Sequence, residues 1–470
     1  MLRLLLARGA KQTSRTGAAL HSSTSSQLVD AAATQPLFRW LTSSGADVSG
    51  VSINVDVVGN SGWGLAAVRD TAEGDLLVAL PHSCTLSYDT ATLAPSLRRL
   101  LDQVPAELWA ARLGLVVLDH RAKGSDSLYA PYVSLLPSRF DGVPIFFSRE
   151  AVDALQYPPV SEQVKRRSRF LLSFARGALA SDTDALAFGG ARVDADAMGW
   201  ALSAVSSRAF RLRGPTEAAS MLPLIDLCNH SFEPNAEVKT MGGKQAVALV
   251  AKQRIAAGTP VLISYGPLSN DFLLLDYGFV GRNNPHDTCA LRFSSGLLEI
   301  AREVAGLGHI PLGRVDENMN QGDAIAAAPW QQLILADLGL VGAHANLEVL
   351  IGGEGAIDSR LLAALRVLFL QDEAHLRDIP EQQRAAALRV RDAAGIVPAQ
   401  VERCALATAA AICAVTLSQW RTTLAQDDAL LASQEAAAMP ADVRLAITFR
   451  AEKKRCLSKA LTTLKVRMGV

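Results

Sequence analysis

Two segments of this chain combine an apolar run with polar or aromatic side chains that an apolar core would have to accommodate. The first, LPLIDLCNHS at residues 222–231, places Asn229 and His230 directly after its apolar run. The second, ISYGPLSNDFLLLDYGFV at residues 263–280, places Tyr265 and Tyr277 on either side of three consecutive leucines. Polar groups inside a core require hydrogen-bond partners. The two segments, joined by a predicted hairpin, therefore predict one pocket lined by an amide, an imidazole and two phenols.

A simpler interpretation treats each of these residues separately. Asn229 and His230 would cap a turn, and both tyrosines would be core residues whose hydroxyl groups are bonded locally. Residue by residue, this interpretation is the more economical one. The joint occurrence of DLCNHS, SYG and DYGF is uncommon by chance, however, and favours the shared pocket.

The joint pattern resembles the C-terminal half of SET-domain methyltransferases, in particular the branch that includes the Rubisco large-subunit lysine methyltransferase. The resemblance runs from about Ser52 to the C-terminus. It implies an α+β protein: a SET-domain β-fold with a pseudoknot-like crossing, a helical insertion, and a C-terminal all-α domain that binds a protein substrate. It also implies S-adenosyl-L-methionine as cofactor and methyl transfer to lysine as the reaction.

A glycine-rich turn near the start of this region has two interpretations. Residues 51–58 alternate apolar and polar side chains, which predicts a half-buried strand, and GWGLAA follows at residues 62–67. A glycine-x-glycine after a strand can open a dinucleotide-binding unit, but that unit requires a helix next. Here a second strand is predicted at residues 76–80, so the dinucleotide interpretation fails. SET domains begin with a similar glycine-rich turn.

The resemblance implies roles for individual residues. Tyr265 would be the catalytic phenol, and Tyr277 would line the lysine channel. The residues implied to bind the cofactor are Trp63, Gly64, Arg208, Asp226, Asn229, His230 and, on the adenine side, Phe279. Many relatives carry an acidic residue just before the glycine turn, where this chain has Ser61. The chain therefore departs from the family at one cofactor contact.

Two basic features also have plain structural interpretations. Arg208, in SRAF at residues 207–210, would ordinarily complement the dipole at a helix C-terminus. The resemblance instead implies that Arg208 pairs with the cofactor's carboxylate. The run KRRSR at residues 165–169 has no interleaved aromatic residues, which favours a solvated helix face over a nucleic-acid site.

A pocket of this kind suits methyl transfer to an amine. Alignment of the two substrates supplies much of the acceleration in such a displacement. A lysine in a narrow, aromatic and dry channel has its charged form disfavoured, which lowers its pKa. Tyrosine faces attract cationic groups, and neutral hydroxyls can fix the amine without competing strongly as nucleophiles.

The predicted elements divide the chain into five regions. These are a transit peptide at residues 1–34, the N-terminal SET half at 35–94, a helical insertion at 95–213, the C-terminal SET half at 214–282, and a helical substrate-binding domain at 283–470. Predicted helices lie at residues 105–120, 194–210 with Asp194 as its cap, 359–370, 399–419 and 441–464. A hairpin is predicted between residues 237 and 251.

Charge and cysteine spacing exclude several classes of function. The 46 basic residues balance the 46 acidic ones, so no net field favours nucleic acid or an anionic membrane. The six cysteines show no CxxC or Cys/His ligand spacing, so no metal site is predicted. No charge-free apolar run reaches about 18 residues, so no transmembrane segment is predicted, and residues 405–420 favour a buried helix.

The first 29 residues contain four basic side chains, no acidic ones and many alanines, serines and threonines, which is typical of a transit peptide. A disordered N-terminus is the alternative. Two functional hypotheses follow. One is a protein-lysine N-methyltransferase of the chloroplast, with the mitochondrion as alternative compartment. The other is a weakly active or inactive SET-fold accessory subunit of the plastid RNA polymerase complex, because residues 268–280 and 351–368 resemble SET-domain proteins associated with that polymerase.

Overall fold

The computed structural model describes residues 31–55, 62–88, 93–177, 188–190, 193–211, 218–242, 245–310 and 327–469. Within these ranges the chain forms two compact units. The first contains the chain up to Arg149 together with Glu162–Pro267 and Leu274–Gly278. The second contains Glu150–Ser161, Leu268–Leu273 and the chain from Phe279 onward. Ser61 and residues 1–30 of the predicted transit peptide lie outside the described residues.

Strands are concentrated in the first unit, whereas the second is mainly helical. The described strands are β1 Val51–Val55, β2 Trp63–Ala67, β3 Leu76–Pro81, β4 Leu86–Ser87, β5 Ala209–Phe210, β6 Ser220–Met221, β7 Asn229–His230, β8 Ala236–Thr240, β9 Gln245–Ala251, β10 Pro260–Ile263, β11 Thr288–Arg292 and β12 Glu348–Gly352. The described α-helices span Ala31–Ser43, Pro95–Asp102, Trp109–Lys123, Ala130–Val133, Arg149–Ala154, Pro158–Arg176, Ala195–Arg208, Asn270–Phe272, Ser295–Val304, Pro329–Asp337, Ser359–Phe369, Arg384–Leu388, Ala399–Ser418, Leu424–Ala432, Gln434–Ala438 and Ala441–Met468.

A four-stranded sheet in the order β1-β2-β10-β7 positions the predicted site. β2 is antiparallel to both β1 and β10, whereas β7 is parallel to β10, with Asn229 opposite Leu262 and His230 opposite Ile263. The start of β2 at Trp63 and the ends of β7 and β10 therefore lie at one edge of the sheet. This edge brings the glycine turn together with both polar segments.

The strand predictions are confirmed where the strands are described. Val51 and Ile53 are buried and alternate with half-buried Ser52 and Asn54. β8 and β9 form the predicted antiparallel hairpin, and β3 pairs with β9. β3 occupies the position where a dinucleotide-binding unit would need a helix, so the rejection of that interpretation is also confirmed.

The helical insertion follows the predicted pattern with small changes. The side chain of Asp194 caps the helix Ala195–Arg208, because its Oδ1 accepts the N–H of Ala197 at 2.9 Å. The predicted extension of this helix to Phe210 is wrong, since residues 209–210 form β5 and pair with β6. The helix predicted at residues 105–120 begins with a 3₁₀ turn and runs as an α-helix over Trp109–Lys123.

The second unit has its own apolar core, to which the helices Ser359–Phe369 and Ala399–Ser418 contribute most of their buried residues. The predicted C-terminal all-α domain is helical, but the prediction missed the antiparallel pair of β11 and β12. By length and composition, Ala399–Ser418 is the one helix in the described ranges that could cross a membrane. Of its apolar 18-residue window, 61% is buried inside the protein, which fits a core helix.

Charged side chains are also buried along the helix Ala441–Met468. Lys453 is 0% exposed, and its Nζ lies 2.6 Å from Asp287 Oδ1 and 2.5 Å from Asp271 Oδ1. Burial lowers the pKa of Lys453, but the two carboxylates raise it by more, so the net direction is upward. One turn of this helix is therefore held by ion pairs in addition to apolar contacts.

Candidate functional site

The apolar run at residues 222–227 is buried and ends in a sharp turn. Leu224 adopts φ +75°, a left-handed conformation that costs energy for a residue with a Cβ. A 3₁₀ turn at Ile225–Leu227 follows, and the chain then enters β7. This strained turn places Asn229 and His230 at the sheet edge, immediately after a buried segment of the chain.

Tyr265 lies two residues after β10 and contacts both ends of the first segment. Its hydroxyl donates a hydrogen bond to the carbonyl of Cys228 at 2.8 Å, and its backbone N–H donates to His230 Nδ1 at 3.2 Å. Because Nδ1 of His230 accepts this hydrogen bond, the neutral form of the imidazole carries its proton on Nε2. The two polar segments are thus linked through both the side chain and the backbone of Tyr265.

Tyr277 completes an aromatic cluster around this link. Its ring stacks on that of Tyr265, with centroids 4.7 Å apart and planes inclined by 20°. The imidazole of His230 lies 5.1 Å from the Tyr265 ring and packs edge-on against Phe232 at 4.7 Å. Tyr277 is the last residue of a π-helix, Leu273–Tyr277, a rare geometry that is frequent at functional sites.

A close backbone crossing fixes the end of this π-helix. Gly278 has φ +76°, and a Cβ at Gly142 would lie 2.3 Å from the Gly278 carbonyl oxygen. Only residues without a side chain allow this approach. The position of Tyr277 is therefore held by the residue that follows it.

Both phenols are neutral at physiological pH. Burial raises the pKa of Tyr277 to about 12, and the neighbouring Asp276 adds to that shift. Burial raises the pKa of Tyr265 further above its ordinary value. The cluster consequently offers two uncharged hydroxyl groups in an environment that disfavours charge.

Arg208, at the end of its helix, meets Asp226 of the first segment. Its Nη1 donates to the Asp226 backbone carbonyl at 3.1 Å and lies 3.5 Å from the carboxylate Oδ2. Tyr132 donates its hydroxyl to the same Oδ2 at 2.6 Å. Burial raises the pKa of the Asp226 carboxyl, while Arg208 and Tyr132 oppose that shift. The predicted cofactor residues Arg208, which is half-buried, and Asp226, which is buried, therefore form one ion pair.

Three buried polar atoms of these residues have no hydrogen-bond partner within the described part of the chain. They are Arg208 Nε, Asp226 Oδ1 and Asn229 Nδ2. Leaving a polar group buried and unpaired costs free energy, so such atoms in a native fold call for a ligand or water. Two donors beside one carboxylate acceptor suit a ligand that carries both a carboxylate and an ammonium group, as α-amino acids do.

The remaining residues predicted to bind the cofactor are Trp63, Gly64 and Phe279. Trp63 opens β2 at the sheet edge described above, and Gly64 is buried within that strand opposite Asn54. Phe279 belongs to the second compact unit, where its N–H donates to the Leu273 carbonyl at 3.3 Å. The assignment of Phe279 to the adenine side stays a prediction.

Sequence reasoning missed two contributors to the site. Tyr132 binds Asp226 from 94 positions away, and nothing in its local sequence distinguishes it from a core tyrosine. Cys228 contributes through its backbone carbonyl, which side-chain patterns do not reveal. Among the described residues, no group of three or more His, Cys, Asp or Glu side chains is arranged to hold a metal ion.

Comparisons with known proteins give two family matches. A family model described as SET domain matches residues 62–266, and one described as Rubisco LSMT substrate-binding matches residues 324–457. Among solved structures, the SET domain of LSMT bound to lysine and AdoHcy aligns with a TM-score of 0.66 at 20% identity, over 93% of this chain and 92% of that chain. Rubisco LSMT bound to AdoMet aligns with a TM-score of 0.63 at 19% identity, over 93% and 92%. These alignments show a common fold.

The alignments with two curated relatives cover a smaller share of each protein. SET domain-containing protein 4 of Mus musculus is 29% identical over 245 residues, which cover 48% of this chain and 54% of that protein. Actin-histidine N-methyltransferase of Rattus norvegicus is 28% identical over 305 residues, which cover 59% of this chain and 48% of that protein. The chain thus spans about half the length of these two relatives.

Proposed function

We propose that this chain is an S-adenosylmethionine-dependent protein-lysine N-methyltransferase, a function supported by the match of residues 62–266 to the SET domain model and of residues 324–457 to the Rubisco LSMT substrate-binding model. The observation that carries the proposal is the pair of stacked, neutral tyrosines beside a cluster of unpartnered buried polar atoms. The tyrosines suit an amine substrate, and the polar atoms suit the amino-acid portion of the cofactor.

The cofactor residues would be Arg208, Asp226, Asn229 and His230. When bound, S-adenosylmethionine supplies a methyl group on a positively charged sulfur. Arg208 Nε and Asn229 Nδ2 can donate to a carboxylate, and Asp226 Oδ1 can accept from an ammonium group. Tyr132 and the Nη1 contacts of Arg208 hold Asp226 in place, so the site needs little rearrangement on binding.

Tyr265 would position the amine of the substrate lysine. Its hydroxyl donates a hydrogen bond to the Cys228 carbonyl, and a phenol oxygen that donates one hydrogen bond can still accept others. The raised pKa keeps this oxygen neutral, so it orients the amine without acting as a charged nucleophile. Burial of the two rings excludes water and favours the neutral, reactive amine.

The choice of lysine over histidine rests on the chemistry of these aromatic rings. Aromatic faces attract ammonium groups, and lysine presents an ammonium group at neutral pH. The comparison set includes an enzyme named for histidine methylation, so the two residues must be distinguished directly. The second unit, which contains the substrate-binding match, would hold the protein substrate.

The test begins with calorimetry of the purified protein and S-adenosylmethionine. We expect saturable binding, and an absence of binding at millimolar cofactor would overturn the proposal. The protein is then incubated with labelled cofactor and a plastid extract, and the labelled proteins are hydrolysed to amino acids. Labelled methyl-lysine is the expected product. Label found only in methyl-histidine would reassign the reaction to histidine.

We further propose that residues 1–34 direct import into the chloroplast, supported by their four basic residues and single acid. A fluorescent fusion of these residues is expected in plastids, and a variant with Arg3, Arg8, Lys11 and Arg15 replaced by glutamine is expected in the cytosol. Fluorescence in mitochondria would select the alternative compartment. Association with the plastid RNA polymerase stays a prediction, which co-purification of a tagged protein with polymerase subunits would test.

A further inference from the structure

Tyr132 contacts the candidate site from the helical insertion. It lies on the short helix Ala130–Val133, is 3% exposed, and donates its hydroxyl to Oδ2 of Asp226 at 2.6 Å. Asp226 lies two residues before Cys228, whose carbonyl accepts the hydroxyl of Tyr265. A phenol of the insertion therefore binds a carboxylate in the same short segment that anchors the proposed catalytic tyrosine.

The main chain of Asp226 is fixed by hydrogen bonds on both sides of its side chain. Its N–H donates to the Leu222 carbonyl at 3.0 Å, and its carbonyl accepts Arg208 Nη1 at 3.1 Å. The direction of the carboxylate then depends on rotation about the side-chain bonds. Tyr132 donates to Oδ2 at 2.6 Å, whereas Arg208 Nη1 lies 3.5 Å from that oxygen. The short hydrogen bond from Tyr132 is therefore the stronger restraint on this rotation.

Both of these partners bind the same carboxylate oxygen of Asp226. The other oxygen, Oδ1, is buried and has no hydrogen-bond partner within the described part of the chain. A carboxylate that is held through Oδ2 presents Oδ1 in one fixed direction. An ammonium group would supply both a hydrogen-bond donor and a compensating positive charge to this oxygen. Holding the oxygen in advance lowers the ordering cost of that contact.

The hydroxyl of Tyr132 also favours the charged form of the Asp226 carboxyl. Burial raises the pKa of Asp226, and Arg208, followed by the hydrogen bond from Tyr132, opposes that shift. Tyr132 itself stays neutral, because burial and then the charge of Asp226 raise the pKa of the phenol well above its ordinary value. Tyr132 therefore remains a hydrogen-bond donor, and its donation helps Asp226 to carry the charge that attracts a cation.

We propose that Tyr132 is a positioning residue for the methyl donor: by holding Oδ2, it directs Oδ1 of Asp226 toward the ammonium group of S-adenosylmethionine. The proposal rests on the methyltransferase function argued above and adds the residue that would make the site selective for this ammonium group. A merely structural role of Tyr132 would affect all parts of the donor alike. Selective recognition of the ammonium group therefore distinguishes the two roles.

The test compares two ligands that differ only at this group. S-adenosylhomocysteine, which remains after the donor has lost its methyl group, carries the ammonium group, and its deaminated analogue carries a hydrogen in that place. Calorimetry with the full-length protein measures the affinity for each ligand. The parent should bind S-adenosylhomocysteine roughly tenfold to a hundredfold more tightly than the analogue, the range expected for a hydrogen bond to a charged group.

Tyr132→Phe removes the hydroxyl and keeps the buried ring. We expect its affinity for S-adenosylhomocysteine to fall by about tenfold and its affinity for the deaminated analogue to stay within about twofold of the parent's. Tyr129→Phe is the matched control, because Tyr129 lies three residues earlier and donates its hydroxyl to the Thr85 carbonyl at 2.9 Å. This control should keep the parent's ratio of the two affinities.

Asp226→Asn tests the same contact from the other side and serves if Tyr132→Phe does not fold. The amide is neutral, so the preference for S-adenosylhomocysteine over the deaminated analogue should fall to within about threefold. Adding Tyr132→Phe to Asp226→Asn should not lower this preference further, because the hydroxyl would act on the ammonium group only through the carboxylate.

These measurements separate failure of this proposal from failure of the proposed function. A parent protein that binds neither ligand at millimolar concentration would overturn the methyltransferase function and the positioning role together. If the parent binds the two ligands equally, or Tyr132→Phe changes both affinities by the same factor, the positioning role alone is overturned. A preference for S-adenosylhomocysteine that survives in Asp226→Asn would have the same meaning. Selective loss of affinity for S-adenosylhomocysteine in both single variants would support the proposal.

Discussion

The rings of Tyr265 and Tyr277 stack at 4.7 Å although one follows a strand and the other ends a π-helix. The hydroxyl of Tyr265 is anchored to the first polar segment through the carbonyl of Cys228. Tyr265 is therefore held both by its hydroxyl and by the stacked ring of Tyr277.

Replacing Tyr265 with phenylalanine removes the hydroxyl and retains the stacked ring. We expect kcat to fall by about 100-fold or more, as when one preorganised hydrogen-bonding group is removed from an active site. Affinity for S-adenosylmethionine should stay within about twofold, since the change spares the cofactor residues. Single-turnover kinetics and calorimetry measure the two quantities.

Tyr129→Phe, which removes another buried hydroxyl that donates to the Thr85 carbonyl, is the control and should leave kcat unchanged. Equal activity of Tyr265→Phe and the parent would contradict the catalytic assignment.

Two asparagines near β10 should respond differently to substitution by alanine. Asn229→Ala removes an unpartnered buried donor, so we expect cofactor affinity to fall roughly tenfold to a hundredfold with little change in the melting temperature. Asn235 bonds the Pro260 carbonyl and the Leu262 N–H, both at 2.8 Å. Asn235→Ala should lower the melting temperature and cost much less affinity. Calorimetry and thermal unfolding of both variants provide the comparison, and identical profiles would contradict the ligand role of Asn229.

His120 should make the first unit less stable in mild acid. Its Nδ1 lies 2.9 Å from Ser127 Oγ, and burial, followed by the charge of Lys123, lowers its pKa below the ordinary 6.5. The unfolded chain therefore binds more protons than the folded chain in that range. The stabilising contribution is complete above pH 6.5 and is lost as the pH falls toward the folded pKa.

Urea denaturation between about pH 5 and 8 measures this dependence. His120→Gln should flatten the profile, because glutamine does not titrate. His82→Gln, a substitution at an exposed histidine of the same unit, should keep the parent profile. A parent protein whose stability does not change over this range would contradict the assignment.

Lys453→Met should destabilise the second unit strongly. The substitution leaves the carboxylates of Asp271 and Asp287 without their buried cation, which typically costs about 3–5 kcal/mol in the free energy of unfolding. Lys459→Met, at an exposed position of the same helix, should cost less than about 0.5 kcal/mol. Urea denaturation of both variants measures the difference. A cost below about 1 kcal/mol for Lys453→Met would show that the ion pairs contribute little.

The sequence predicts several residues of the candidate site, but it does not predict the long-range contacts that hold them in place. The sequence predicts that Asn229, His230, Tyr265 and Tyr277 share a pocket, because polar residues inside apolar runs must meet partners, and the structure brings His230, Tyr265 and Tyr277 into contact. The hydrogen bond from Tyr265 to the Cys228 carbonyl also fits the alternative interpretation of Tyr265 as a core tyrosine, so the shared pocket stays a prediction. Arg208 lies at a helix C-terminus, as predicted, and contacts Asp226, whereas its pairing with the cofactor's carboxylate stays a prediction.

The features that local patterns could not predict depend on distant parts of the chain. The segment LLLDY has the composition of an ordinary α-helix, and its π-helical geometry accompanies contacts that Arg167 makes from the insertion. The pairing of β11 with β12 joins segments between which the structure describes two helices, so neither short strand stands out alone. Tyr132 likewise acquires its role only when the insertion meets Asp226.

The parallel pairing of β7 with β10 has a consequence for biogenesis. Asn229 and Leu262 are neighbours in space but 33 positions apart in the chain (262 − 229), and parallel neighbours cannot be joined by a tight turn. We expect the intervening hairpin to form before the two strands meet, because its contacts close shorter loops than the pairing of β7 with β10 does. During synthesis the residues proposed to bind the methyl donor would then leave the ribosome without their final geometry, and we expect a labelled cofactor analogue to be captured only after the strand pairing has formed.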